Sequence, residues 1–226
     1  MNGFAQSQSA ALRPTKAIEA ETGVARTPNR ILRRNEHLIH AGDPIRHAYV
    51  VVSGVLKSYI NYENGDSQVL GFHIPGDIIG HEALIEERSF CGVIALDTSS
   101  VRKLDTASHI ASSALIESMH SEIKRLTRQL HLERECSTAA RLATFLLDYS
   151  ESQAQRGYCR YEFILPMGRR DLAGYLGLAT ETLSRVFSRF RDQGILKVST
   201  NHVVILDPVR LEAASGTTAE ESRLIC

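Results

Sequence analysis

The chain has 226 residues, a length that suits one large domain or two small ones. Hydrophobic residues make up 43% and charged residues 23%, which excludes a collagen-like, wholly disordered or disulfide-stapled protein. Basic and acidic residues number 26 each, so the net charge is zero and a chain coated throughout with basic side chains for polyanion binding is excluded. The sum does not exclude local charged patches.

The sequence contains no segment that predicts a membrane span or a secretory signal. The longest apolar stretch, residues 48–56, is interrupted by Ser53 and Gly54, whereas a spanning helix needs about 20 apolar residues. The N-terminus has no basic start that leads into an apolar run. The four cysteines form no C-x-x-C pair, as is usual for reduced cytosolic thiols. We therefore expect a cytoplasmic protein without a membrane partner.

The first half of the chain divides into a tail and a β-rich domain. Residues 1–29 are rich in Ala, Ser, Gln and Thr, which predicts a mobile tail. In residues 30–107, short Val/Ile/Tyr-rich runs alternate with turn signals, which predicts many short antiparallel strands in a small barrel or jelly roll. Asn64-Gly65 tolerates positive φ at both residues, so we expect a tight hairpin between strands near residues 55–62 and 67–74.

A long helix is predicted over residues 108–136. Its apolar residues recur at intervals of three and four, so they form one stripe along the helix. Such a stripe packs either on the chain's own β-rich domain or on the same helix of a second chain. The periodicity leaves both alternatives open because it lasts barely two heptads. The stripe residues are Ile116, Met119, Ile123, Leu126 and Leu130.

Residues 137–226 predict a winged helix-turn-helix. A helix is expected from about Ser137, and two short helical patterns meet at Gly177, where a tight turn needs positive φ. Apolar runs at 195–198 and 203–206 predict a two-stranded hairpin, which Pro208 is expected to stop. Helix, turn, helix and hairpin is the order of a winged helix-turn-helix, and the whole chain is then an α+β protein.

The second short helix carries a polar face suited to reading bases. Four of its polar residues, spaced by three, one and three, share one side. Arg donates two hydrogen bonds to guanine, Glu accepts one from cytosine, and Ser serves either role. Residues 166–202 hold six basic and three acidic side chains, although the chain sums to zero. With the flanking residues and the arginines of the first helix, the predicted DNA-binding set is Arg169, Arg170, Thr180, Glu181, Thr182, Ser184, Arg185, Ser188 and Arg189.

Several motifs between Asn35 and Leu211 carry a family resemblance. The most specific are DLAGYLGL at 171–178 and ETLSR at 181–185, supported by AGD at 41–43, SG at 53–54, GFHIPGD at 71–77 and EIK at 122–124. On these motifs the sequence resembles the CRP/FNR family of bacterial transcription regulators, and within it the FNR-like branch. The resemblance implies that residues 30–107 are a sensory β-roll like a cyclic-nucleotide-binding domain, followed by a long dimerisation helix and a C-terminal winged helix-turn-helix. It also implies that the protein is not an enzyme.

The resemblance assigns a partner to each surface. It implies a homodimer along the apolar stripe and binding to double-stranded DNA. Glu181, Ser184 and Arg185 match the family positions that read TTGAT, so the expected site is TTGAT-NNNN-ATCAA. The chain departs from relatives at Ala179, which offers no capping oxygen to the helix, and Thr180 is expected to substitute in part. Most of the branch activates transcription through RNA polymerase, which exposed β-roll loops around residues 86–90 would contact.

The sequence does not identify an effector, and no cofactor is expected. Relatives with an iron–sulfur cluster carry cysteines before the β-roll, whereas here none precedes Cys91, and the four cysteines cannot surround one cluster. Cyclic-nucleotide-responsive members carry Gly-Glu followed by Arg-Ser. Here Gly80 is followed by His81, and Arg88-Ser89 comes too early. These departures disfavour a nucleotide, but Arg88 is an arginine that could bind an anion, so a cyclic-nucleotide-responsive regulator is kept as the alternative.

Three further alternatives are weaker. A cupin-like metal enzyme would use histidines one residue apart, whereas His73 and His81 are eight apart, so we expect no metal site. An architectural DNA binder without sequence preference has no use for Glu181, because a carboxylate serves specificity and not affinity. A redox switch at Cys91 requires a low thiol pKa, which a sequence does not reveal.

Overall fold

In the computed structural model, the described residues are 28–63, 65–84, 86–104 and 109–216. The predicted tail, residues 1–29, lies outside them except for Pro28 and Asn29. Among the described residues, no helix combines the length and the apolar character that crossing a membrane requires.

Eight strands form the N-terminal β-roll as two antiparallel sheets. Their bounds are β1 Arg30–Leu32, β2 His37–Ile39, β3 Tyr49–Ser53, β4 Leu56–Asn61, β5 Ser67–His73, β6 Ile78–Ile79, β7 Gly92–Ala95 and β8 Ser99–Lys103. The strand orders are β1-β8-β3-β6 and β2-β7-β4-β5. Leu32, Val51 and Val101 of one sheet and Leu56 and Val93 of the other share one buried core. The alternation of apolar and polar residues along the strands therefore fills the space between the sheets.

The predicted hairpin joins β4 and β5. The two strands pair from Leu56 opposite His73 to Asn61 opposite Ser67. Gly65 has φ of +86°, which favours glycine at this tip, while Asn64 lies outside the described residues. The hairpin brings β5 to the side of the roll where the C-terminal helices pack.

Two helices connect the β-roll to the rest of the chain. Helix α1 (His109–Glu135) is the predicted long helix, and α2 (Thr138–Gln155) follows after a break at Cys136 and Ser137. Ser137 ends the break because its hydroxyl accepts a hydrogen bond from the Ala140 amide and caps α2. This two-residue break is the covalent link between the long helix and the C-terminal domain.

The C-terminal domain is a winged helix-turn-helix. After α2, its elements are β9 Glu162–Ile164, α3 Arg169–Tyr175, α4 Thr180–Asp192, β10 Leu196–Ser199, β11 His202–Ile205 and α5 Pro208–Ser215. The predicted hairpin is β10–β11, and β9 pairs with β11 to give a three-stranded wing. The core contains Leu142, Leu172, Leu183 and Phe190, all at most 2% exposed.

The expected stop at Pro208 is wrong in one respect. Pro208 follows the last strand but begins helix α5, in which Asp207 accepts a hydrogen bond from the Arg210 amide as the N-cap. Proline suits the first helical position because its missing N–H would have no partner there. Helix α5 packs on α2, and its Leu211 is fully buried.

Candidate nucleic-acid interface

Helices α3 and α4 meet in a tight turn that presents α4 at the surface. Gly177 sits in the turn with φ of +63°, where glycine is favoured. The Leu178 amide closes the turn on the Ala173 carbonyl at 2.9 Å. Leu172 and Ala173 of α3 are buried, so this side of the helix packs into the core of the C-terminal domain.

Helix α4 has one buried and one exposed face. Leu183, Val186, Phe187 and Phe190 are buried in the domain core. The side chains of the predicted reading face point outward because a helix places residues three and four apart on the same side. Glu181, Ser184, Arg185 and Arg189 are exposed and Thr180, Thr182 and Ser188 are half-buried.

Part of the reading face forms a shallow depression. Ser184, Arg185, Ser188 and Arg189 line it. The Ser184 hydroxyl donates to the Thr180 carbonyl at 2.9 Å, so its lone pairs remain to accept a hydrogen bond from a base. The face thus offers a bidentate donor in Arg185 beside an acceptor in Ser184.

The start of α4 has no side-chain cap. Ala179 is the N-cap residue in extended conformation, and no side chain accepts from the first amides. The expectation that Thr180 substitutes in part is wrong, because Thr180 lies inside the first turn. The first amides of α4 therefore remain available to an anion.

The arginines that begin α3 have different surroundings. The guanidinium carbon of Arg169 lies 3.5 Å from the centre of the Phe187 ring, and Nη2 donates to the Thr200 carbonyl at 3.0 Å. Burial lowers the pKa of Arg169 from its ordinary value. Arg170 is exposed. Arg169 thus connects the recognition helix to the tip of the wing, while Arg170 faces solvent.

The apolar stripe of α1 is uncovered in the single chain. The residues that share this exposure are Ile116, Met119, Ile123, Leu126 and Leu130. A different side of α1 carries Ser118, Arg125 and Gln129, which hydrogen-bond to other elements of the same chain, and Glu122, which pairs with Arg125 within the helix. The helix therefore has one polar face that contacts its own chain and one apolar face that is exposed among the residues that the structure describes.

The region of the β-roll that would hold a cyclic nucleotide has its polar groups committed within the protein. The Ser89 hydroxyl donates to Glu82 Oε1 at 2.7 Å, and Arg88 Nη1 donates to the Gly42 carbonyl at 2.7 Å. The ring of Tyr59 lies against Gly92, where an added Cβ would meet it at 2.7 Å. Glu82 and Arg88 thus bond within the roll, and their spacing also differs from the Gly-Glu and Arg-Ser pattern of cyclic-nucleotide members.

Cys91, His73 and His81 of the roll are held in contacts that do not favour a reactive thiolate or a metal ligand set. Burial and the nearby Glu82 raise the pKa of the Cys91 thiol to about 11, so it stays protonated at neutral pH. His73 and His81 each hydrogen-bond to a serine hydroxyl. In the part of the chain that the structure describes, no three His, Cys, Asp or Glu side chains are grouped to hold a metal.

Sequence patterns did not reveal the contacts that hold this interface on the β-roll. Lys57 of β4 pairs with Asp171 of α3 at 2.6 Å, and Tyr175 of α3 bonds to Arg125 of α1. Lys57 and Asp171 are 114 positions apart, so no local periodicity relates them. Arg141 of α2 donates to the Leu176 and Gly177 carbonyls in the turn.

The fold and the surface of α4 are those of a DNA-binding transcription regulator. They combine an N-terminal β-roll, a long helix with an exposed apolar stripe, and a winged helix-turn-helix whose second helix, α4, has a polar exposed face. A Crp-like helix-turn-helix domain matches residues 140–214, and a cyclic nucleotide-binding domain matches residues 29–110. The chain belongs to the CRP/FNR family of transcription regulators.

Two relatives and one solved structure illustrate the similarity. The chain is 34% identical to the transcriptional activator protein FnrA of Stutzerimonas stutzeri over 195 residues, which is 83% of this chain and 80% of the relative. It is 33% identical to the fumarate and nitrate reduction regulatory protein of Vibrio cholerae over 197 residues, or 84% and 79% of the two chains. The structure of FixK2 from Bradyrhizobium japonicum superposes with a TM-score of 0.74 at 28% identity, covering 85% of this chain and 98% of that one. These relatives are transcription regulators and not enzymes.

Proposed function

We propose that the protein is a homodimeric transcription activator that recognises the palindrome TTGAT-NNNN-ATCAA in the bacterial cytoplasm. The observation that carries the proposal is the exposed face of α4, on which Glu181, Ser184 and Arg185 stand side by side. Arg185 would donate to guanine, Glu181 would accept from the cytosine amino group, and Ser184 would accept from a neighbouring base. A face with both a donor and a carboxylate distinguishes sequences and does not merely attract phosphate.

The palindrome follows from the dimer. Two copies that meet along the apolar stripe of α1 present two equivalent recognition helices related by a two-fold axis. Such an arrangement reads two inverted half-sites about one helical turn apart. Exposure of Ile123, Leu126 and Leu130 in the single chain supports this interface.

Activation requires contact with RNA polymerase. Relatives carry the names transcriptional activator protein FnrA and Anr, which supports an activator. The loop at residues 86–90 lies on the β-roll surface with Glu86, Glu87 and Arg88 exposed and Phe90 64% exposed. We propose this loop as the surface that contacts the polymerase.

Binding to labelled DNA tests the proposed reading face. Arg185→Ala removes the guanine contact, so affinity for the TTGAT palindrome should fall by about 1–3 kcal/mol, or roughly 5- to 150-fold, relative to a scrambled duplex. Titration of both duplexes at one fixed salt concentration measures the ratio. An Arg185→Ala protein that keeps the wild-type ratio would overturn the proposal.

Arg191→Ala is the matched control. Arg191 also belongs to α4 and is exposed, but it pairs with Asp192 and lies near the C-terminal end of the helix, two turns beyond Ser184. The variant loses the same charge, so it should weaken palindrome and scrambled DNA alike and leave their ratio unchanged.

A further inference from the structure

The first helix of the helix-turn-helix motif rests on the β-roll through a half-buried ion pair. Lys57 Nζ of strand β4 lies 2.6 Å from Asp171 Oδ1 of α3, and the two side chains are 19% and 24% exposed. Val69 of the neighbouring strand β5 lies against Gly174 of the same helix. The contact therefore fixes α3 along its length on the β4–β5 hairpin.

Tyr175 holds the other end of α3 against three elements at once. Its hydroxyl accepts from Arg125 of α1 at 3.1 Å, and its carbonyl accepts from Gln129 of α1 at 2.7 Å. Its ring packs on Phe72 of β5, with ring centres 5.1 Å apart, and on Phe145 of α2 at 5.9 Å. One residue of the motif thus contacts the roll, the long helix and the connecting helix.

Arg125 completes the junction from the side of the long helix. Its guanidinium pairs with Glu122 and donates to the Leu70 carbonyl of β5 at 3.2 Å. A Cβ added to Gly71 would lie 2.9 Å from Arg125 Nη2, so glycine at this position gives the guanidinium its place on the strand. The junction is built from charged and aromatic side chains, whose directional contacts oppose movement of α3 along the surface of the roll.

These contacts add to the covalent link between the long helix and the C-terminal domain. Cys136 and Ser137 form the non-helical link between α1 and α2, and two residues without helical hydrogen bonds do not by themselves fix the orientation of the domain beyond them. A dimer that reads two half-sites needs its recognition helices at one separation and one angle. A preset orientation lowers the entropy that binding would otherwise cost.

We propose that Lys57, Asp171 and Tyr175 are positioning residues for DNA recognition. They contact no base in this scheme but set the angle at which α4 is presented. The two C-terminal domains of the dimer then match the spacing of the half-sites without a ligand. The inference rests on the proposed function and deepens it, because it assigns the spacing preference to the junction between the roll and α3.

Spacing selectivity separates positioning from plain stabilisation. Affinity is measured for the TTGAT-NNNN-ATCAA duplex, for duplexes with the spacer shortened or lengthened by one base pair, and for a single half-site. Lys57→Gln should weaken the four-base-spacer palindrome by about tenfold and reduce its preference over the altered spacers, while half-site affinity stays unchanged. A residue that only stabilises the fold would not change the ratio between spacers.

Matched variants complete the test. Lys103→Gln removes the same charge from an exposed position of β8 and should behave as wild type. The exchanged pair Lys57→Asp with Asp171→Lys restores opposite charges and should recover most of the spacing preference. Tyr175→Phe keeps the ring but loses the Arg125 hydrogen bond, and it should also reduce the preference.

The outcomes distinguish the two proposals. If wild type binds the palindrome no better than scrambled DNA, the proposed function fails and this inference with it. If wild type prefers the palindrome but both Lys57→Gln and Tyr175→Phe keep the wild-type spacing ratios, the positioning role is wrong and the proposed function stands. A loss of half-site affinity equal to the loss on the palindrome also overturns the positioning role.

Discussion

At the scale of single residues, neighbouring arginines acquire different roles from their surroundings. The sequence predicts Arg169 and Arg170 as equivalent DNA contacts. The structure commits Arg169 to the Phe187 ring and the Thr200 carbonyl and leaves Arg170 exposed. DNA contact by either arginine stays a prediction, but the consequences of removing them should differ.

Alanine substitution distinguishes the two arginines. Arg169→Ala should lower the free energy of unfolding by about 1–2 kcal/mol, because it removes a cation–π contact and a hydrogen bond to the wing. Arg170→Ala should change it by less than about 0.5 kcal/mol and lower the salt dependence of DNA binding by about one charge. Urea unfolding and a salt titration measure the two effects, and equal stability losses would contradict the assignment.

Asp77 makes stability depend on pH. Burial, with a smaller contribution from Glu122, raises the pKa of its carboxyl to about 7, against the opposing effects of the Ile74 amide hydrogen bond, Arg125 and Arg156. The folded state therefore holds this proton more tightly than the unfolded state does. Its contribution to stability is complete below the ordinary pKa of 3.8 and is lost as pH rises through about 7.

The Asp77→Asn variant isolates this contribution, because an amide does not titrate. Between pH 5 and pH 8, wild type should lose about 1–3 kcal/mol of unfolding free energy relative to the variant, a range that allows for the partial exposure of Asp77. Urea unfolding of both proteins across this range measures the difference. A difference that does not change with pH would show that the carboxyl titrates normally in the folded protein.

At the scale of elements, helix α1 uses one face for contacts within its own chain and exposes the other, apolar face. Arg125 and Gln129 bind the β-roll and α3 of the same chain, whereas Ile123 and Leu126 are exposed. An exposed stripe of large apolar residues on a helix is costly in water and is covered in most proteins by a partner. A second copy of α1 is the partner that the proposed two-fold palindrome requires.

Introducing a charge into the stripe tests that interface. Leu126→Glu should convert a dimer to a monomer in sedimentation experiments, since two buried carboxylates would face each other across the axis. Ser121→Glu adds the same charge on a different, exposed side of α1 and should leave the dimer intact. A monomeric wild type without ligand would contradict the proposed dimer.

At the scale of the whole molecule, the roll and the C-terminal domain share buried surface. Val55 and Leu96 of the roll belong to the same apolar cluster as Leu146, Phe163 and the other core residues of the winged domain. Phe72 packs against this cluster from β5. Because the cores are continuous, loosening one domain exposes apolar surface of the other.

Hydrogen exchange tests this coupling. Amides in strand β4 and in helix α4 should report opening free energies that agree within about 1 kcal/mol, as expected for one cooperative unit. Phe72→Ala should lower the protection of α4 more than that of β4, because it loosens the contact with the roll. If α4 opens several kcal/mol more easily in wild type, the two domains unfold independently.

The β-roll differs from effector-binding members of the family in its side-chain contacts as well as in its sequence. Glu82 and Ser89 bond to each other and Arg88 bonds to Gly42, so the residues nearest to the family's nucleotide contacts differ in their partners as well as in their spacing. The raised pKa of Cys91 also disfavours a thiolate switch at this residue. The contacts at Lys57 and Tyr175 are the features that would hold the winged helix-turn-helix domain in place without an effector.

Sequence alone determined the features that depend on neighbours along the chain. The β4–β5 hairpin, the stripe on α1, the turn at Gly177 and the exposed face of α4 all follow from periodicity and from the φ that glycine permits, so they were predictable. Only the tertiary structure decided the contacts between distant segments. The pairing of Lys57 with Asp171 and the stacking of Arg169 on Phe187 depend on which surfaces meet after folding, and no local pattern encodes that meeting.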